Sequence, residues 1–156
     1  MKVYLVAGEP SGDKLGAELM AGLKSCAPYE LDFCGVGGFL MEEQGLTSLF
    51  PISEIAVMGI GEILAKYSFL KKRIKNTVDD ILRLKPDVLI TIDAPEFSLR
   101  VAKMVRKKIF INTIHYVAPT VWAWRPNRAK KISSYVDHIL ALFPFEPPYM
   151  LSLIHI

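Results

Sequence analysis

An aspartate at the end of a short apolar run is the first residue in this sequence suited to chemistry. Pro86 ends a basic helical segment, and residues 88–92 (Val-Leu-Ile-Thr-Ile) predict a strand buried on both faces. The strand ends at Asp93, and Pro95 is typical of the first turn of a following helix. Ligands bind at the carboxyl ends of strands in open α/β sheets, so Asp93 is a candidate for chemistry. The alternative is that Asp93 only caps the following helix, and the spacing alone does not separate the two interpretations.

Two glycine-containing segments follow other predicted strands. Residues 8–13 read Gly-Glu-Pro-Ser-Gly-Asp, and residues 35–38 read Gly-Val-Gly-Gly. Neither segment has the spacing of the phosphate-binding loop of nucleotide hydrolases or of the dinucleotide fingerprint. Gly12 and Gly37 lack side chains, which would let a polar ligand approach the backbone closely. Both segments are equally consistent with ordinary tight turns.

A group of amphipathic side chains follows another predicted strand. His115 stands at the strand's predicted end, and Tyr116, Trp122, Trp124 and Arg125 come shortly after it. This density of aromatic and polar side chains is typical of a sugar or nucleotide cleft, which makes His115, Trp122 and Arg125 candidate substrate-binding residues. A single histidine is, however, more often structural. The basic side chains of Arg125, Arg128, Lys130 and Lys131 either bind a phosphate or are simply solvated.

Residues 57–75 combine apolar and basic side chains. Five cations lie between 66 and 75 with no acid among them. Such a composition suits an element that lies on anionic lipid, and the alternative is an ordinary amphipathic helix with a solvated basic face. The apolar residues exceed what one helix needs to reach a core; they are Val57, Met58, Ile60, Ile63, Leu64, Tyr67, Phe69 and Leu70.

Strands and helices alternate along the whole chain, which predicts the frame that holds these residues. The pattern favours an α/β fold with a doubly wound, mostly parallel, Rossmann-like sheet. Strands are predicted at 3–7, 31–36, 46–50, 88–92, 109–114 and 136–142, with a long helix over 62–84 and another over 96–107.

Composition sets further bounds. The chain has 156 residues, 51% of them hydrophobic and 22% charged, which predicts one globular domain with a substantial core. A net charge of +3 gives no argument for nucleic acid. Cys26 and Cys34 form neither a disulfide framework nor a metal-ligand pattern, so buried free thiols are their expected state. No apolar run approaches the roughly 20 residues that span a bilayer, and we expect a cytoplasmic protein that is still able to lie on a membrane.

Taken together, the motifs resemble those of lipid-A-disaccharide synthases, a bacterial glycosyltransferase family of lipopolysaccharide assembly. The resemblance runs from residue 1 to about 149; Glu96 stands where the family usually has Asp, and Thr120 where it often has Ser. The matching blocks, in family order, are Gly8–Asp13, Gly35–Gly38, Val57–Ile60, Ile92–Pro95, His115–Pro119, Val121–Arg125 and Phe143–Glu146.

This resemblance implies one half of a two-domain glycosyltransferase of the GT-B type. Such enzymes join UDP-2,3-diacylglucosamine to 2,3-diacylglucosamine 1-phosphate with inversion and release UDP, as peripheral proteins of the inner membrane in Gram-negative bacteria. The resemblance therefore implies no metal and no cofactor for this chain. Asp93 matches the family's proposed general base, and Glu9, Ser11 and Asp13 match its first active-site loop. The region from Met58 to Leu70 matches the lipid-facing patch, which favours the interfacial interpretation of residues 57–75.

The resemblance also predicts a division of the chain. Residues 1–150 form the acceptor and membrane side, and residues 151–156 do not continue the family pattern, as expected of a truncated chain that lacks the donor-binding half and is inactive alone. One alternative function is a non-catalytic membrane-associated module that binds an acylated sugar phosphate. Another is a nucleotide-dependent oxidoreductase of similar fold, which the missing dinucleotide fingerprint disfavours.

Overall fold

Six parallel strands form one sheet in the order β3-β2-β1-β4-β5-β6. The computed structural model describes residues 1–56, 63–118 and 131–142, without the side chains of residues 56 and 63–66. The doubly wound parallel sheet expected from the sequence is confirmed. Its strands are β1 (Lys2–Ala7), β2 (Asp32–Val36), β3 (Thr47–Ser48), β4 (Val88–Ile92), β5 (Asn112–Tyr116) and β6 (His138–Leu140). Its helices are α1 (Pro10–Cys26), α2 (Phe39–Glu43), α3 (Ser53–Ala56), α4 (Ile63–Leu84) and α5 (Ser98–Arg106).

Strand β1 lies at the centre of the sheet because it is apolar on both faces. Val3 to Ala7 are completely buried. Tyr4 and Val6 point into one core with α4 and α5, and Leu5 and Ala7 point into a second core with α1 and α2. A strand covered on both faces is the arrangement that a continuous apolar run favours.

The direction in which successive strands are added to the sheet reverses between β1 and β4. From β1 the sheet grows through β2 to β3 on one side, and from β4 it grows through β5 to β6 on the other. Helices α1 and α5, which follow β1 and β4, pack on opposite faces of the sheet, so the carboxyl ends of these two strands form a switch point. Ligands of open α/β folds bind at such switch points.

Close packing of β2 against β1 requires a glycine at position 35. Gly35 has a φ of +143°, and a Cβ atom there would lie 1.9 Å from the backbone oxygen of Leu5. No other residue fits this contact between backbones. Part of the 35–38 glycine segment is thus explained by the sheet itself.

Three predicted boundaries differ from the structure. Helix α1 begins at Pro10, so residues 11–13 lie in its first turn rather than in a loop. Strand β5 begins at Asn112 rather than at residue 109, which places His115 inside the strand instead of at its end. Helix α5 begins at Ser98, and residues 95–97 form a turn before it.

Candidate active site

The loops after β1 and β4 touch each other at Gly8 and Ala94. A Cβ atom on Gly8 would lie 2.7 Å from the Cβ of Ala94, closer than two carbon atoms tolerate. Glycine at position 8 therefore lets the two loops meet at the switch point. The contact brings the start of α1 next to the residues that follow β4.

The backbone of Asp93 is held in an uncommon conformation. Asp93 and Ala94 have φ angles of 45° and 43°, in the left-handed region that residues other than glycine rarely adopt. The Asp93 N–H donates to the carbonyl of Tyr116 at 3.0 Å. The Ser98 hydroxyl donates to the carbonyl of Asp93. Strained backbone that neighbouring contacts hold in place is typical of functional sites, because the strain is retained only where the surroundings impose it.

The Asp93 side chain points toward α1 and does not cap α5. The Ser11 hydroxyl donates to Asp93 Oδ2 at 3.5 Å, the long end of a hydrogen bond. Helix α5 starts five residues later, its N-cap residue is Phe97, and that end has no side-chain cap. The helix-cap interpretation of Asp93 is therefore wrong. The half-buried carboxylate keeps acceptor capacity beyond its one described hydroxyl partner.

A cleft of about 210 Å³ adjoins these residues. Ala94, Pro95 and Phe97 supply part of its wall, and Gly8 and Ile55 close it from the other side. The carboxylates of Glu9 and Glu96 line it, Asp93 directly precedes the lining residue Ala94, and Glu96 pairs with Arg100 four residues away. An apolar cleft bordered by carboxylates suits a neutral polyhydroxylated ligand whose hydroxyls donate hydrogen bonds.

Asp13 accepts hydrogen bonds from the N-terminus of α2 and does not line this cleft. Its carboxylate is 7% exposed. It accepts backbone N–H bonds from Gly38 at 2.9 Å, from Leu40 at 3.1 Å and from Met41 at 3.1 Å. Backbone N–H groups at a helix start need acceptors, and an acid there also complements the helix dipole. The structure thus gives Asp13 a structural task at the start of α2, and the active-site role that the resemblance implied for it stays a prediction.

Gly12 and Gly37 are both buried, and their nearest neighbours are protein atoms. A Cβ on Gly12 would lie 3.5 Å from the Ile92 carbonyl, so this glycine brings α1 close to β4. A Cβ on Gly37 would lie 2.5 Å from Leu46. The packing explains both glycines, and their predicted contact with a ligand stays a prediction.

His115 is buried on the face of the sheet that α4 and α5 cover. Its Nδ1 lies 2.8 Å from the Thr91 hydroxyl, and its buried Nε2 has no hydrogen-bond partner among the described residues. Burial lowers the pKa of the imidazole from 6.5 to about 4, so the ring is neutral at pH 7. With no exposed surface, His115 is not placed for the direct substrate contact that its predicted position at the strand's end suggested.

The predicted lipid-facing side chains divide into three groups. Tyr67 and Phe69 are 46% and 41% exposed, as a surface contact requires. Leu70 is 8% exposed and packs in the core with Ile74, so the structure does not place it for lipid contact. The remaining predictions lie outside the described residues or side chains, namely Val57, Met58, Ile60, Ile63 and Leu64, and the same holds for the candidate substrate-binding residues Trp122 and Arg125.

Ser98 is the site residue that the sequence analysis missed. Its side chain is fully buried and fixes the carbonyl of Asp93 from the first turn of α5. A serine shortly after Asp-Ala-Pro is a signal for such a bond, since serine side chains commonly satisfy backbone groups near helix starts.

The described residues offer neither a metal site nor a membrane-spanning helix. They contain no group of three or more His, Cys, Asp or Glu side chains arranged to hold a metal ion. None of their helices is both long and apolar enough to cross a membrane.

The chain matches one protein family over almost its whole length. The family model described as lipid-A-disaccharide synthetase matches residues 3–152. The lipid-A-disaccharide synthase of Ruegeria pomeroyi is 57% identical over 150 residues, and that of Rhodospirillum centenum is 50% identical over 148. These alignments cover 96% and 94% of the chain, and the chain spans 37% of the length of either relative.

A solved structure also shares the fold. UDP-GlcNAc 2-epimerase from Neisseria meningitidis, crystallised with UDP-GlcNAc, superposes with a TM-score of 0.62 over 97% of the chain and 43% of the epimerase, at 14% sequence identity. At that identity the similarity concerns the architecture alone.

Proposed function

The chain belongs to the lipid-A-disaccharide synthase family, and from this premise we propose that it forms the acceptor side of an inverting glycosyltransferase. The proposed reaction joins UDP-2,3-diacylglucosamine to 2,3-diacylglucosamine 1-phosphate. Its products are the β-1,6-linked disaccharide 1-phosphate and UDP. In this proposal residues 1–150 hold the acceptor, and the donor is bound by the part of the full-length relatives that this chain does not match.

Asp93 is the general base of the proposed mechanism. The attacking hydroxyl of the acceptor forms a bond to the anomeric carbon of the donor as the bond from that carbon to UDP breaks. The hydroxyl proton passes to the Asp93 carboxylate, and the leaving UDP takes the bonding electron pair. An inverting transfer needs one carboxylate within hydrogen-bond reach of the nucleophile, and it needs no covalent intermediate.

The placement of Asp93 is the observation that carries this proposal. The carboxylate stands at the switch point of the sheet, its backbone is fixed by Tyr116 and Ser98, and its side chain is directed to Ser11 rather than to α5. Positioning of this kind supports proton transfer because a base that is already oriented loses little entropy when the substrate arrives.

The proposal gives the neighbouring residues supporting roles. Ser11 orients the Asp93 carboxylate through its hydroxyl, and Glu9 accepts hydrogen bonds from sugar hydroxyls in the cleft. Asp13 acts indirectly by fixing α2 beside this region. The exposed Tyr67 and Phe69 with nearby Lys71 and Lys72 support a peripheral position on the inner membrane, where both acylated substrates would be found.

The test uses a chimaera as well as the chain itself. Residues 1–150 replace the matching 150 residues of the Ruegeria pomeroyi relative, and disaccharide 1-phosphate formation is followed with both acylated substrates in detergent. We expect turnover by the chimaera with a β linkage in the product, and none by the 156-residue chain alone. A folded chimaera that binds the acceptor without turnover would instead support the non-catalytic binding module.

A further inference from the structure

A groove between α4 and α5 is lined by cations and apolar side chains and by no acid. It has a volume of about 470 Å³. Lys71 and Lys75 border it from α4, Arg100 and Lys103 border it from α5, and Lys107 borders it from the C-cap of α5. Ile74 and Met104 contribute its apolar surface. The groove shares no lining residue with the cleft beside Asp93.

The lysines of this groove form like-charged pairs. Lys71 and Lys75 are four residues apart on α4. Lys103 of α5 and Lys107, the C-cap residue of α5, are also four residues apart, and Lys107 keeps a helical backbone conformation, so each pair lies on one side of its helix. None of these four lysines makes an ion pair with a described residue. Like charges at this spacing destabilise a helix, and an external anion would relieve the repulsion.

The arginines of α4 and α5 are neutralised within the protein. Arg73 pairs with Glu54, Arg83 with Asp80, and Arg106 with Asp137. Arg100 alone among the groove cations has an acidic partner, Glu96. The four groove lysines therefore carry charge that no described acid compensates.

Apolar surface continues from the groove toward the start of α4. Lys71 Nζ lies 4.5 Å from the centre of the Tyr67 ring, and the Arg100 guanidinium lies 5.9 Å from it. Tyr67 is 46% exposed and Met104 37%. Exposed aromatic and apolar side chains beside unpaired lysines complement a bilayer surface, which offers acyl chains and negative headgroups together.

We propose that the α4–α5 groove binds anionic phospholipids of a bilayer, with headgroup phosphates at its lysines and lipid carbon over Ile74 and Met104. The inference rests on the proposed function, because that function brings the protein to a membrane. It extends the lipid-facing surface from residues 57–75 onto α5, which the sequence did not predict to meet lipid. A polyanion such as RNA would bind the lysines but has no acyl chain to cover the apolar surface of Ile74 and Met104.

The decisive variant is Lys103→Gln/Lys107→Gln, because Lys103 lies on α5, Lys107 lies at its C-cap, and both are outside the 57–75 segment. Partition of the 156-residue chain is measured by co-sedimentation with phosphatidylcholine vesicles that contain phosphatidylglycerol. Each lysine near an anionic surface contributes about a fivefold factor, so the double variant is expected to lower the partition coefficient about 25-fold. The matched control Lys14→Gln/Lys85→Gln removes the same charge from exposed positions elsewhere and is expected to lower it less than about threefold.

A second variant tests the apolar floor. Met104→Gln keeps the charge of the groove and is expected to lower the partition coefficient severalfold, since less apolar surface leaves water on binding. Equal loss in the two lysine doubles, or unchanged partition for Met104→Gln, overturns the proposal. These outcomes are independent of turnover by the chimaera, so failure of the groove and failure of the proposed function are distinguishable.

Discussion

Burial of His115 predicts a specific loss of stability in acid. The imidazole has a pKa of about 4 in the folded chain because it is buried, against 6.5 when exposed. Between these pH values the unfolded chain binds a proton at this ring and the folded chain does not. The free energy of unfolding therefore falls as the pH drops from 6.5 toward 4, and this contribution is fully present only above 6.5.

The magnitude follows from the two pKa values. Their difference corresponds to about 3 kcal/mol when the pH reaches 4, of which about 2 kcal/mol is lost by pH 5. Replacement of the ring by an uncharged side chain removes this dependence, whatever its effect on stability at neutral pH. The variant is His115→Gln, which keeps a polar group opposite the Thr91 hydroxyl.

The assay is urea unfolding at pH 7, 6, 5 and 4.5, followed by circular dichroism. We expect the difference between the native chain and His115→Gln to shrink by about 2 kcal/mol from pH 7 to pH 5. The control His138→Gln removes an exposed imidazole from the neighbouring strand and should leave the native pH dependence in place. Parallel curves for the native chain and His115→Gln would refute the conclusion that this ring is buried and neutral.

Two further predictions, each with a matched control, concern Gly8 and Asp13. Gly8→Ala forces a Cβ to within 2.7 Å of Ala94 and should cost about 1 to 3 kcal/mol in urea unfolding. Gly22→Ala has nothing within 4 Å and should instead stabilise α1 by up to about 1 kcal/mol; equal effects of the two changes would contradict the contact between the loops. Asp13→Ala leaves the N–H groups at the start of α2 without their acceptor and should cost about 2 to 4 kcal/mol, whereas Asp32→Ala at an exposed position should change stability by less than about 1 kcal/mol.

The long elements could be predicted from the sequence because their hydrophobic pattern is continuous. Helix α4 was expected over 62–84 and begins at Ile63. Its inward side chains Ile74, Val78 and Ile81 recur every three or four residues and all lie in the core. Strand β4 was expected at the residues where it lies, since Pro86 bounds a run that is apolar on both faces.

The start of α1 could not be predicted from periodicity. Its first turn contains a proline, a serine and a glycine, which carry no apolar repeat. The helix forms there because Gly12 and Gly16 allow close packing, and a Cβ on Gly16 would lie 2.5 Å from Met41. A tertiary contact of this kind determines the local structure, and it is visible only when the partner element is known.

The environment of His115 was mispredicted through the bounds of β5. Residues 109–111 are apolar and resemble the start of a strand, but pairing with β4 begins at Asn112 opposite Val88. His115 therefore falls within the ladder opposite Thr91, on the covered face of the sheet. Because side chains alternate along a strand, a small error in its bounds exchanges a surface position for a buried one.

The geometry around Asp93 was only partly accessible from the sequence. The strand's end and the candidate base could be identified, but the spacing left the cap interpretation open. The two left-handed residues delay the helix to Ser98 and turn the carboxylate toward Ser11. That outcome depends on contacts with α1 and β5, which no local pattern encodes.

The most direct test of the central claim is the effect of Asp93→Asn on kcat in the chimaera. The amide keeps the size of the side chain and its neighbour Ser11 but cannot accept the proton of the attacking hydroxyl. We predict that kcat falls by about 10² to 10⁴, that the KM for the acceptor stays within about threefold, and that Asp32→Asn leaves both unchanged. Retention of kcat in Asp93→Asn, with only the KM for the acceptor raised, would show that Asp93 binds the substrate and is not the base.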